Sequence, residues 1–183
     1  YETGQPTHCY DSRKINGKIS LVEIEDEINF ETLLNKKITL KDKNHLFLMN
    51  DIPINLAGIM GAKNTACSPE TSSILLECAH FLPEKIMGQS LKYGINSDAA
   101  HKFERGVDPL CHENVIRRYI QIVQEHAEIV DLKIYSENAH MQNTVCIDFD
   151  HNKINKILGT NISEEDYIKY LDALQFSIKD GLI

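Results

Sequence analysis

Apolar residues cluster in short runs through the first half of this chain and then recur at a helical spacing, so a change of element type is expected part-way along. Residues 19–25 read as a strand, followed by an acidic, polar turn, and short strand-like runs follow over 37–40, 45–50 and 54–60. Residues 73–80 form another apolar run, too short for a helix of ordinary length. A helix is expected to begin at Leu82 and end at Gly94, and a second, over 98–105, to stop at Gly106. Asp108 and Pro109 supply an N-cap and first-turn pair for a third. In that helix Val115, Ile116, Tyr119, Ile120 and Val123 form one apolar face, while Arg117, Arg118, Gln121 and Gln124 look outward. Residues 129–135 read as a further strand.

A polar stretch over 136–143 marks a domain boundary, giving a first domain over 1–140 and a second over 144–183. The second carries a helix ending at Gly159, then an amphipathic one opened by the capping pattern Ser163-x-x-Asp166. It is too small to bury its own core. The first residues, Tyr1-Glu2-Thr3-Gly4, carry neither an initiator Met nor a secretion signal, and the last helix is followed by an abrupt end; both are expected to be cuts in a longer chain. The expected class is α+β, with mixed sheets flanked by helices and a partial small helical domain after it.

Composition narrows the function. With 42% hydrophobic and 25% charged residues in 183, the chain is that of a folded globular protein. No apolar run approaches the roughly 20 residues that span a bilayer, so no membrane partner is expected. Five cysteines, without a C-x-x-C pair, fit a reducing cytoplasm. A net charge of -8 argues against a module that holds nucleic acid unaided, since that work is mostly phosphate neutralisation.

Four features have candidate chemistry. His8 follows the Gly/Pro-containing loop Gly4-Gln5-Pro6-Thr7, where a side chain can face a cleft or simply solvent. Glu77 interrupts Ile74-Leu75-Leu76 and Cys78-Ala79; it is either an outward residue on a strand or an acceptor lining a pocket. Gly58 and Gly61, three apart, permit a turn or a close backbone approach to a ligand. Asn96-Ser97-Asp98-Ala99-Ala100 has the look of a helix start, whose free N–H groups serve capping or bind an anion or carbonyl oxygen. Cys78 and His80 would share a strand face, but no four-ligand spacing accompanies them, so no metal is expected.

Four motifs in order carry a resemblance: Gly4-Gln5-Pro6-Thr7-His8-Cys9-Tyr10-Asp11, then Leu56-Ala57-Gly58-Ile59-Met60-Gly61, then Leu76-Glu77-Cys78-Ala79, and the run from Ser97 through Phe103-Glu104-Arg105-Gly106-Val107-Asp108-Pro109. Together they resemble the beta chain of bacterial-type phenylalanyl-tRNA synthetases over most of residues 1–135, and residues from about 144 resemble the start of that chain's next, winged-helix-like domain. The resemblance implies a domain that edits after transfer, hydrolysing the ester of tyrosine mischarged onto tRNA(Phe). It implies that His8 orients water or substrate, that Glu77 accepts the tyrosine phenol, and that Gly58, Gly61, Ser97 and Ala99 wall the pocket. It also implies an alpha-chain partner in a heterotetramer of two alpha and two beta chains, with ATP and Mg2+ used by the whole synthetase and no cofactor in this part.

The physical need for such a site is general. A phenylalanine pocket rejects one added hydroxyl poorly, whereas a pocket with a buried acceptor can favour the hydroxylated substrate by on the order of 10⁴. The ester is already activated, so a positioned water and a polarised carbonyl suffice. Three positions depart from the family pattern: Ser97 where Thr is common, Ala62 where a second Gly is usual, and Ala100 where Ser is frequent. Ala62 is expected to narrow the pocket wall. The competing expectations are a non-catalytic assembly or tRNA-docking module with a degraded pocket, and a metal-dependent hydrolase.

Overall fold

The computed structural model describes residues 1–136, 145–178 and 182. The chain divides into two compact units, Tyr1–Asn138 and Ala139–Ile183. Residues 137–143 of the expected polar boundary lie outside the described residues.

The first unit is built on antiparallel sheets. Strands β1 (His8–Asp11), β2 (Ile19–Ile24), β3 (Ile28–Glu31), β4 (Lys37–Leu40), β5 (Asn44–Met49), β6 (Ile52–Leu56), β7 (Met60–Gly61) and β8 (Ile74–Glu77) succeed one another along the chain. The largest sheet has the order β2-β5-β6-β7, while β3 pairs with β4 and β1 with β8. β5 and β6 are joined at Asn50 and Asp51, whose φ values of 46° and 68° give the doubly left-handed turn that matches strand twist in a tight hairpin. The inward positions Leu46, Leu48 and Leu56 enter one core with Phe30 and Leu40 of the smaller sheet. Phe81 and Phe103 meet edge to face within it at 4.9 Å between ring centres.

Strands β2, β4 and β5 lie where the alternation places them; β1 and β3 were not expected. The apolar run over 54–60 is two strands rather than one. Gly58, at φ 70°, turns the chain between β6 and β7, and Ile59 N–H bonds Leu56 O across the turn at 2.9 Å. The single helix expected from Leu82 to Gly94 is also two, α1 (Pro83–Ile86) and α2 (Gln89–Lys92). Gly88 breaks it at φ 77°, held there by a 3.1 Å bond from its N–H to Glu104 Oε1.

Helix α3 (Asp98–Phe103) matches expectation, with Ser97 as its cap. Helix α4 (His112–Gln124) starts later than the Asp108-Pro109 pair suggests. Asp108 instead closes a turn, its Oδ1 accepting Leu110 N–H at 2.8 Å and its carbonyl accepting Cys111 N–H at 3.3 Å. Residues 129–135 are irregular, contrary to the strand expected there. Their alternating Val130, Leu132 and Ile134 are all exposed, and apolar alternation without a partner strand leaves the backbone unpaired.

In the second unit, α5 (His151–Leu158) is capped by Asp150 and ends at Gly159, and α6 (Glu164–Ala173) opens on Ser163, whose hydroxyl accepts Asp166 N–H at 3.2 Å. Asn155 ties them: its amide bonds Ile162 O at 2.8 Å and its Oδ1 accepts the Tyr167 hydroxyl at 3.0 Å. Tyr167 is this unit's one buried hydrophobic among the described residues.

Candidate functional site

Pairing between β1 and β8 sets the geometry. The register places His8 opposite Glu77 and Tyr10 opposite Leu75, so the period of two puts His8, Tyr10 and Glu77 on one face of the ribbon. Gln5 secures the approach to β1: its buried amide donates to Ala79 O at 2.8 Å, just past the end of β8. The β6–β7 turn and α3 close the other sides. The result is a pocket of about 100 Å³ whose lining includes His8, Asn55, Gly58, Gly61, Glu77 and Ala99.

Glu77 is half-buried, and its Oε2 accepts two bonds, from the Tyr10 hydroxyl and, at 3.2 Å, from Asn55 Nδ2. Asn55 also donates to the Tyr10 oxygen at 2.8 Å. The phenol therefore receives from the amide and gives to the carboxylate. Loss of solvent around Glu77 pushes its carboxyl up to about 7, and the bonds from Tyr10 and Asn55 pull the other way. The Tyr10 phenol is pushed well above its ordinary range by burial first and by the neighbouring carboxylate second.

His8 lies edge-on to Tyr10 at 4.5 Å between ring centres. Burial lowers its pKa, which keeps the ring neutral near pH 7. Its Nε2 is buried without a partner among the described residues, and so is Asn55 Oδ1. A buried polar atom without a partner is a cost to the fold, and a water or a polar ligand group would offset it.

Each glycine has a separate duty. A Cβ on Gly61 would sit 2.3 Å from His8 Cε1 and 2.4 Å from Nε2, so the bare backbone is what lets the imidazole lie against it. A Cβ on Gly58 would instead point into the core, 2.9 Å from Ile86 Cδ1 and 3.0 Å from Phe81 Cδ2. Of the residues singled out in the sequence, His8, Gly58, Gly61, Glu77 and Ala99 come together here. Ser97 does not line the pocket. Its hydroxyl donates to Ile59 O at 2.6 Å and accepts Ala100 N–H at 3.1 Å, which both caps α3 and fastens it to the β6–β7 turn. Ala62, expected to narrow the wall, faces elsewhere: it is buried in the core at φ -83° and borders a separate groove beside Phe30 and Lys63.

Two residues of the site escaped the sequence reading. Asn55 interrupts an apolar run just as Glu77 does, and the same signal would have found it. Tyr10 needed β1 to be read as a strand. The metal alternative finds no support in its own residues: His80 is exposed past the end of β8, and no group of three or more His, Cys, Asp or Glu is gathered among the described residues. The Cys78 thiol is pushed up to about 11 by burial, which removes it as a ready nucleophile. No helix among the described residues is long and apolar enough to cross a membrane.

Fold and pocket together define an α+β domain with a small, mainly apolar pocket that holds one inward carboxylate. The chain belongs to the B3/4 domain family, whose profile matches residues 1–128. Across almost its whole length it is similar to phenylalanine–tRNA ligase beta subunits. That of Shewanella oneidensis is 33% identical over 98% of this chain and 23% of its own length. That of Francisella tularensis is 32% identical over 96% and 22% respectively, and that of Clostridium tetani 34% over 95% and 22%. The chain thus spans under a quarter of the length of these curated relatives.

Proposed function

We propose that this domain hydrolyses the ester of tyrosine mischarged onto tRNA(Phe), as the editing part of a phenylalanine–tRNA ligase beta subunit. The observation that carries the reading is the Glu77 carboxylate in a pocket it shares with an unpartnered imidazole nitrogen, His8 Nε2. Glu77 accepts the substrate phenol, and phenylalanine, lacking it, leaves that acceptor unpaired. Neutral His8 takes a hydrogen bond from the attacking water or the substrate amine, Gly61 provides the room for it, and Gly58 and Ala99 complete the wall. Ser97 supports the site by holding α3 in place.

The remaining assignments rest on the similarity to the beta subunits. Residues 1–140 form the editing domain and 144–183 the start of a winged-helix-like one. The partners are the alpha chain and tRNA(Phe), the setting is the cytoplasm, and ATP and Mg2+ serve charging elsewhere in the synthetase. The net charge of -8 fits tRNA delivery by other parts of the assembly.

A second reading, a docking module without catalysis, draws on the pocket's size. At about 100 Å³ it is smaller than the engineered cavity of about 150 Å³ that takes benzene, and one Glu77 oxygen is already engaged. The deciding experiment compares hydrolysis of Tyr-tRNA(Phe) and Phe-tRNA(Phe) by the reassembled synthetase carrying wild-type beta chain or Glu77→Ala. Selective clearance of the tyrosyl ester by wild type and its loss in the variant are expected. If wild type leaves both esters intact, the docking reading replaces this one.

A further inference from the structure

Among the described residues, every bond that the Glu77 carboxylate receives from the protein ends on the same atom. Tyr10 and Asn55 both donate to Oε2, and among the described residues no donor reaches Oε1. A carboxylate has roughly four acceptor positions over its two oxygens, so half of this one's capacity is held and half is open. The holding groups also fix one another, because Asn55 gives one amide hydrogen to the Tyr10 oxygen and thereby turns the phenolic hydrogen toward Glu77. A single bond would let the carboxylate swing about its last torsion; two donors arriving from different strands, β1 and β6, stop it.

We propose that Tyr10 and Asn55 are positioning residues that pin Glu77 through Oε2 and present Oε1 to the phenolic hydroxyl of the substrate. This rests on the editing reading given above. The discrimination between tyrosyl and phenylalanyl esters then belongs to a unit of three residues rather than to Glu77 alone. The unit also governs which form of the carboxyl is present. His8 and Tyr10 of β1 and Cys78 next to it are the titratable groups around Glu77, and the pocket residues from the β6–β7 turn and α3 do not titrate. Both donors favour the ionised form, which is the stronger acceptor.

The test has two arms. In the 183-residue chain, 13C NMR titration of the Glu77 carboxyl in wild type, Tyr10→Phe and Asn55→Leu reads the unit directly, and both substitutions are expected to move the midpoint to higher pH. In the full synthetase, Tyr10→Phe is expected to lower the preference for Tyr-tRNA(Phe) over Phe-tRNA(Phe) by about tenfold, with the pH profile shifted alkaline. The double variant should lose little more than either single one, since each removes the same function. Faster clearance of the tyrosyl ester by Tyr10→Phe would overturn the proposal and make the phenol an internal competitor. An unmoved carboxyl midpoint would overturn it equally. A wild-type synthetase that clears neither ester removes the editing reading and this role with it, whereas selective wild-type clearance with an unaffected Tyr10→Phe overturns only the role. Thermal melts of each variant separate loss of fold from loss of function.

Discussion

Gly61→Ala and Gly58→Ala make a matched pair in which the same added methyl should do opposite things. At Gly61 the new Cβ would lie 2.3 Å from His8 Cε1, against an ordinary contact of 3.4 Å or more, so the ring must retreat by about 1 Å. The ring is half-buried and its Nε2 has no partner to lose among the described residues, so the retreat costs about 0.5–1.5 kcal/mol, the scale of a side chain pushed off its rotamer. Gly58 combines φ 70° with a Cβ that would meet Ile86, Phe81 and Phe103 in the core. Left-handed backbone costs an Ala about 1–2 kcal/mol and overpacking about 1–3, so a loss of about 2–5 kcal/mol is expected there. Function should rank the other way: a displacement of about 1 Å at a reacting group can cost on the order of 10² in rate. Urea unfolding of the chain gives the stabilities, and single-turnover hydrolysis of Tyr-tRNA(Phe) by the assembled enzyme gives the rates. Gly61→Ala that unfolds as easily as Gly58→Ala, or that clears the tyrosyl ester at the wild-type rate, would refute the account of His8 resting on Gly61.

Two further predictions concern pH. Glu77 has a folded pKa of about 7 against an ordinary 4.5, so the native state binds the extra proton and wild type loses stability as pH rises between those values. Glu77→Gln, which does not titrate, should gain on wild type by on the order of 3 kcal/mol between pH 4.5 and 8, and parallel pH profiles in urea titrations would contradict this. Asp11 is the opposite case: Arg13, bonded to both carboxylate oxygens, and Thr71 hold it down to about 2. The stability it contributes is present above its ordinary pKa and disappears as pH falls toward 2, so acid unfolding of Asp11→Asn should show a flatter limb than wild type.

How much of the fold the sequence disclosed depended on whether local chemistry was decisive. Ser163 and Gly159 delimit the last helices because a cap acts through neighbours two or three residues away. The α1–α2 break and the delayed start of α4 were not legible in that way. The first depends on Glu104 reaching Gly88 N–H from 16 residues on, and the second on Asp108 spending its side chain on a turn instead of a helix end. The apolar run over 129–135 misled for a related reason. Alternation shows that a segment could be a strand, but an edge to pair with is a property of the tertiary structure.

The site was half legible, and the missing half follows from one unread strand. Polar interruptions in apolar runs point to Glu77, and the same reasoning extends to Asn55, because an apolar run tolerates a carboxylate or an amide only where something answers it. Tyr10 gives no such signal, since a tyrosine two places after a histidine is unremarkable in a loop. Once 8–11 is a strand paired with 74–77, alternation forces His8, Tyr10 and Glu77 onto one face, and Cys9, opposite in sense, bonds instead to Tyr119 of α4. A shift of one residue in that register would leave the carboxylate and the imidazole on opposite faces of the ribbon. The pocket's chemistry is therefore set by strand pairing as much as by residue identity, and changes that disturb the β1–β8 register should abolish it even where every lining residue is retained.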